Sequence, residues 1–160
     1  MTRYDFENSI GFVVNATAKA FQRSFDVELR KNVGVTLSQW RVVWALMTQP
    51  GLTQKELADK VGIEGATLVP IIDKMEKENL LKRKPDSNDR RANRIYLMPK
   101  SDSLWESMMD CAIKIRKSST KNISDDEVRI TLETLRKISK NLMTFSELDA
   151  IQTKKSNRTG

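Results

Sequence analysis

Lys82, Arg83, Lys84, Arg90, Arg91, Arg94 and Lys100 fall within residues 82–100, where the only acids are Asp86 and Asp89. Seven cations against two carboxylates leave a local excess of five positive charges. Guanidinium and ammonium groups at this density neutralise phosphates and release counterions from a polyanion. A basic run by itself is often only a solvated face, so the surrounding pattern has to decide what this one does. The whole chain, 160 residues with 28 Lys and Arg against 21 Asp and Glu, carries a net charge of +7. That balance favours nucleic acid first and an anionic membrane second.

Other chemistries find little support. The chain has no histidine and one cysteine, Cys111. A zinc or iron site built from those residue types is nearly excluded, and an intramolecular disulfide is impossible. No glycine loop cradles a phosphate, and no nucleophile sits beside a base. Asp125, Asp126 and Glu127 follow Ser124 as a helix start does, with acids placed for the helix dipole. We therefore expect no enzyme, no catalytic residue, no cofactor and no metal. No apolar run approaches the roughly 20 residues of a membrane span. The N-terminus, MTRYDFENS, carries acids where a signal peptide carries bases. The expectation is a soluble cytoplasmic protein with no membrane partner.

The elements around the basic run give it a context. Thr53 and Glu56 form a capping box, Leu57, Ala58 and Val61 make an apolar side, and Gly62 is a stop in the left-handed conformation. A second helix begins between Glu64 and Thr67, with Leu68, Ile71, Ile72 and Met75 on one face and Asn79 as its C-terminal cap. Leu80 and Leu81 re-enter the core. LKRKP, a polar tip DSNDRRA and NRIYL then make a two-stranded hairpin, Ile95 and Leu97 alternating with Arg94 and Tyr96. Helix, turn, helix, hairpin is the order of a winged helix-turn-helix, whose second helix fits a DNA major groove. We place this unit at about residues 36–98.

Three long amphipathic helices flank it. The first spans about residues 6–31, with Phe6, Ile10, Val13, Val14, Thr17, Phe21, Phe25 and Leu29 at spacings of three and four, and Gly34 closes it. At the start of the winged unit, Thr36 and Gln39 open a further helix with Leu37, Trp40, Val43, Trp44 and Met47 inward. The other two flanking helices span about 101–121 and 125–150, and residues 153–160 read as a disordered tail. The apolar stripes are wider than one small domain can cover, so they are expected to pack on a second copy. The fold class is mainly α with a small β-hairpin wing, a winged helix-turn-helix with N- and C-terminal dimerisation helices, in one domain over residues 1–152.

The stretch LADKVGIEGATLVPIIDKMEKENLLKRKPDSNDRRANRIYL resembles the MarR family of transcription regulators, with some likeness to its SlyA-like and organic-peroxide-sensing branches. The order of elements matches over about residues 6–148, and the most specific piece is Asp89-Arg90-Arg91 ahead of a strand. The resemblance implies a homodimer with intertwined terminal helices on pseudo-palindromic double-stranded DNA. It also implies a wing arginine, here Arg91, in the minor groove, held by a wing aspartate, here Asp89. Arginine suits the role because a narrow A/T-rich minor groove concentrates negative potential. The family further implies a small aromatic ligand between the dimer helices and the reading unit. Trp40 and Trp44 are the weak candidates for lining that cleft, and core packing is their simpler use.

Several positions depart from the family pattern. Leu97-Met98-Pro99-Lys100-Ser101 stands where relatives have Leu-Thr-x-x-Gly, and Pro70 stands where many carry arginine. GATLVPII and ENSIGFVVNATAKA are similar to the peroxide-sensing branch, yet Gly11 occupies the position of that branch's reactive cysteine. Cys111 reads as a small buried apolar residue.

The base-reading candidates are Gly65, Ala66, Thr67 and Pro70, where Thr67 can hydrogen-bond and the apolar groups can touch thymine methyls. Gln54, Lys74, Lys82, Arg83, Arg90 and Arg94 are candidates for holding DNA with Asp89 and Arg91. The function expected is a sequence-specific dimeric repressor, and the resemblance adds release from DNA by a small molecule. The alternatives are an architectural DNA-binding protein of low specificity and a helical interaction module that binds no DNA.

Overall fold

Ser9 opens the first helix. In the computed structural model, which describes residues 5–86, 89 and 92–156 with side chains as far as 145, its hydroxyl accepts from the Phe12 N–H at 3.3 Å and α1 runs Ile10–Asn32. Periodicity alone places the start at Phe6. The Asp5 carboxylate instead takes both N–H groups of Asn8, at 2.6 and 3.3 Å, and makes a turn ahead of the cap. Gly34 ends the helix as expected, at φ +76°, its N–H returning to the Leu29 carbonyl at 3.0 Å.

The helix α2, Leu37–Thr48, is opened by Thr36 and Gln39, which satisfy each other's backbone N–H at 3.1 and 2.9 Å. The next free donor, the Leu37 N–H, finds the Asp26 carboxylate of α1 at 2.8 Å. Arg30 holds the other oxygen of Asp26 at 2.6 Å. The buried side of α2 differs from the expected one: Gln39, Val42, Val43, Ala45 and Leu46 are buried, while Trp44 and Met47 are exposed and Leu37 and Trp40 half-buried. The helix is wedged between several neighbours, so small and branched residues fill its tight arc and the indoles are displaced to its edge.

Pro50-Gly51 turns the chain. Gly51 has φ +76°, and a Cβ there would stand 2.8 Å from the Tyr96 hydroxyl, so both the backbone and the space require glycine. The next two residues make β1, Leu52–Thr53, which pairs antiparallel with β3, Asn93–Leu97, in the register Leu52↔Ile95. β2 is Leu81–Pro85, paired with β3 from Leu81↔Leu97 to Pro85↔Asn93. The sheet therefore has three strands in the order β1-β3-β2, where the sequence suggests two. Two residues are too few to show a period of two, so β1 leaves no sequence signal.

The helix α3, Gln54–Val61, carries the Thr53/Glu56 box and ends on Gly62 at φ +65°, as expected. The helix α4 is Gly65–Lys77. Glu64 is its N-cap, with no side-chain hydrogen bond, so the start falls at the early end of the expected range from Glu64 to Thr67. Asn79 lies one residue beyond the C-cap Glu78, at φ +57°, and the Leu80 N–H closes the turn onto the Met75 carbonyl at 2.9 Å. Leu57, Leu68, Ile72, Met75, Leu81 and Ile95 are buried together in one core.

The helix α5, Lys100–Ser119, starts from a buried serine. Ser101 has no exposed surface, and its hydroxyl donates to the Leu80 carbonyl. A hydroxyl thus closes the exit from the wing at the position where the resembled family has glycine. Met108 and Cys111 bury against α1; the Cys111 Sγ lies 3.9 Å from the Glu28 carbonyl, and Lys114 meets the Glu28 carboxylate at 2.6 Å.

The chain divides into two units, one ending at Ser119 and one beginning at Thr120. The second holds α6, Asp125–Ser156, opened by the expected Ser124/Glu127 box with the Ser124 N–H on the Glu127 carboxylate at 2.9 Å. It passes the expected end at residue 150 and takes in the first part of the expected tail; 157–160 lie outside the described residues. No glycine or proline interrupts this stretch of the sequence. Among the described residues, no helix is long and apolar enough to cross a membrane.

Candidate nucleic-acid interface

The helix α4 owes its exposed side to the spacing of its apolar residues. Leu68, Ile72 and Met75 point into the core, which turns Gly65, Ala66, Thr67, Val69 and Pro70 outward in the first two turns. Lys74 and Lys77 follow on the exposed side, Lys74 within 3.8 Å of Glu78. Pro70 lies in the second turn, where its missing N–H leaves the Ala66 carbonyl without its usual helical donor. A groove of about 680 Å³ separates the starts of α3 and α4 from the base of the wing, and Gln54, Lys55, Gly65, Asp86 and Asp89 line it. Gln54 is half-buried there, and Lys55 is exposed.

Strand alternation sorts the wing cations into two kinds. Lys82 and Lys84 are exposed, and Lys84 stands over the Tyr96 ring at 5.1 Å. Arg83 shares the core-facing side of β2 with Leu81. Its guanidinium reaches back to α4, meeting Asp73 at 2.6 Å and also pairing with Glu76, while its backbone N–H donates to Glu76 at 2.9 Å. Arg83 is therefore engaged within the fold instead of presented to phosphate.

Arg94 is also engaged. It pairs with the Asp86 carboxylate at 2.6 Å and donates to the Gly51 carbonyl at 2.7 Å. Asp86 is 6% exposed, and its N–H bonds the Ala92 carbonyl at 3.0 Å, so this pair forms the foot of the wing. Asp89 is exposed, and its carbonyl accepts from the Ala92 N–H at 2.9 Å. Arg90 and Arg91 lie outside the described residues, so the expected hold of Asp89 on Arg91 is not among the contacts described.

The sequence reading misses both internal roles. For Arg83 a signal existed: counting by twos from Leu81 puts it inward, and Asp73 and Glu76 lie one helical turn apart on the facing helix. For Asp86 no local pattern announces burial.

Trp40 and Trp44 stack with ring centres 6.5 Å apart, and Phe25 meets Trp40 edge-on at 4.9 Å. Lys60 lies over Trp44 at 5.9 Å. The buried Nε1 of Trp40 has no hydrogen-bond partner.

Helix, tight turn, exposed second helix and basic hairpin define a winged helix-turn-helix, a DNA-binding class. A model of the MarR family matches residues 35–92. The solved structure of transcriptional regulator PA3341 is 31% identical, covers 85% of this chain and 99% of that one, and superposes with a TM-score of 0.74. A MarR transcriptional regulator from Methanosarcina mazei Go1 shares the fold at 22% identity, covering 85% and 97% of the two chains with a TM-score of 0.75. So does Bordetella bronchiseptica BpsR, at 24% identity, 86% and 97% coverage and a TM-score of 0.75, in a structure concerned with regulation of its DNA binding by 6-hydroxynicotinic acid. The chain belongs to the MarR family of transcriptional regulators.

Proposed function

We propose that this regulator is a homodimer that binds pseudo-palindromic operator DNA and represses transcription in the cytoplasm. The observation that carries the reading is α4: its first two turns are exposed beside a wing strand whose Lys82 and Lys84 also face solvent. In this reading α4 enters the major groove, Gly65, Ala66, Thr67 and Pro70 meet base edges, and Gln54, Lys74 and Lys82 hold phosphates. Arg90 and Arg91 extend the contact from the wing tip, and Asp89 orients Arg91.

The dimer is supported by apolar surface left open on the flanking helices. Ile10, Val13, Val14, Phe21 and Val27 of α1 are exposed, as are Ile130, Leu132, Leu135, Leu142 and Phe145 of α6. Surface of this extent is costly in water, and pairing two copies removes it. A twofold axis then sets the recognition helices about 34 Å apart, one turn of DNA. In this reading residues 1–152 act as one MarR-like domain with α1, α5 and α6 as dimerisation helices.

A small aromatic ligand is a further part of the proposal, with Trp40 and Trp44 as its platform. The partnerless Trp40 indole N–H and the precedent of BpsR, whose DNA binding 6-hydroxynicotinic acid regulates, support it. Gel shifts on operator and random duplexes across a salt series test the whole reading. A repressor keeps a large preference for operator DNA as salt rises, whereas an architectural protein binds both alike and loses both together.

A further inference from the structure

We infer that the first two turns of α4 read thymine methyl groups, so that the half-site of this regulator is built on A·T pairs in the major groove. The inference rests on the DNA-binding reading above and names the bases that it recognises.

The surface offered to a groove is unusual for a recognition helix. Gly65, Ala66, Thr67, Val69 and Pro70 are exposed there, and the Thr67 hydroxyl is their one hydrogen-bonding side chain. Guanine is read at O6 and N7 by arginine or lysine, and adenine at N6 and N7 by asparagine or glutamine. The helix GATLVPIIDKMEK contains no arginine, asparagine or glutamine. Its lysines, Lys74 and Lys77, stand in later turns, while base edges are met by the N-terminal residues of such a helix. Two described guanidinium groups of the wing strands are engaged elsewhere, Arg83 by Asp73 and Glu76 and Arg94 by Asp86 and the Gly51 carbonyl. What remains is apolar contact, and in the major groove the thymine C5-methyl is the base group that rewards it.

Three further observations fit this occupant. Val69 is a branched apolar side chain left 37% exposed among the described residues. Pro70 presents a rigid ring that loses almost no side-chain freedom on contact. A Cβ built on Gly65 meets nothing within 4 Å, so the fold leaves open the space through which a DNA backbone approaches the helix start. The exposed Lys55, Lys74 and Lys82 surround the apolar patch with charge complementary to phosphate.

The test begins with selection of binding sites from random duplexes by the full-length protein. Each half-site thymine is then replaced by deoxyuridine, which removes the methyl and leaves base pairing intact. The expected result is A·T-centred half-sites in which each contacted thymine loses about fourfold in affinity, the value of one buried carbon. Thr67→Ser keeps the hydroxyl and loses a methyl; it should weaken binding to thymine by a similar factor and become indifferent to uracil at one position. Replacing guanines by 7-deazaguanine should change nothing. Equal affinity for thymine and uracil duplexes, or G-centred half-sites that 7-deazaguanine weakens tenfold, would overturn the inference while leaving sequence-specific binding in place. If no duplex is enriched over random DNA, the DNA-binding reading itself falls, and this inference with it.

Discussion

Arg83 of the wing strand β2 meets Asp73 of the recognition helix α4 at 2.6 Å. With Glu76 on the same guanidinium and on the Arg83 backbone N–H, the bridge ties the wing strand to α4, the two elements proposed to enter the minor and the major groove. Arg83→Met leaves two carboxylates one turn apart without their shared cation. The variant should lose about 1–2 kcal/mol in a urea melt, the lower part of the range for charged hydrogen bonds because both acids stay partly in water. DNA affinity should fall, yet the slope of affinity against salt should stay as in the parent, since Arg83 neutralises no phosphate. A slope reduced by about one ion per subunit would place Arg83 on the DNA instead.

Arg91 has the opposite expectation. The local excess of charge, and the resemblance of the wing to that of the family, are the grounds on which it is proposed for the minor groove. Arg91→Ala should weaken binding to A/T-rich duplex severely while the dimer and its melting stay intact. The salt slope should drop by about one ion per arginine, and so by two per dimer. Unchanged affinity for such a duplex would remove the minor-groove role.

The contrast between the two arginines shows what the sequence can carry. Caps and helix periods are local, so the boxes at Thr36, Thr53 and Ser124, the stop at Gly62 and the core face of α4 are all legible from residue types. The order of those elements was enough to expect the winged fold. Side-chain partners across elements are not local: nothing near Arg94 tells that it will hold a buried Asp86 and the Gly51 carbonyl. Nor does a helical stripe say how many neighbours a helix will have, which is why Trp44 and Met47 were expected inward on α2 and stand exposed. The two-residue β1 exists only because β3 is there to pair with it.

Asp26 gives a prediction in pH. Its carboxylate accepts from the Leu37 N–H and from Arg30, and these two contacts, the backbone one first, hold its pKa below the ordinary aspartate value. A depressed folded pKa means stability that is present above the unfolded value of about 3.9 and lost as pH falls through the folded value. Asp26→Asn should therefore cost about 1–2 kcal/mol near neutral pH. The gap between variant and parent should narrow only below about pH 4. Chemical melts at a series of pH values check this, and a gap that is constant down to strongly acid conditions would show that the charge is not what joins α1 to α2.

Cys111 should not act as a peroxide sensor. It is 4% exposed between α5 and α1, and burial, with the Glu28 carboxylate second, pushes its thiol pKa up despite the opposing Lys114. Lys114 is already paired with Glu28 at 2.6 Å. Thiolate is the reactive form, so a raised pKa and a closed surface both slow oxidation. Cys111→Ser and the parent should bind operator DNA alike before and after treatment with an organic hydroperoxide. Release of the parent alone would reverse the assignment.

Pro70 ties stability to specificity. The helix starts at Gly65, with the Leu68 N–H already bonded to the Glu64 carbonyl at 3.0 Å, so position 70 is past the first turn and its absent N–H is a missing helical bond. The full cost of proline in a regular helix interior is about 3 kcal/mol, and part of it is relieved here because the site is exposed and the early turns can bend. Pro70→Ala should raise stability by about 1–2 kcal/mol, and Pro70→Arg should do the same. In a chain of this size that is a rise of several degrees in Tm, at about 2–4 °C per kcal/mol. The two variants should part on DNA. Alanine keeps the apolar surface small and leaves the A·T preference in place, whereas arginine brings a fork that fits guanine O6 and N7 for about 1–3 kcal/mol. Site selection with the three proteins therefore separates folding from reading. A higher Tm for both variants with a new guanine only for Pro70→Arg places position 70 against the bases. A higher Tm with three identical site preferences would mean that the ring bends the start of α4 but does not face the groove.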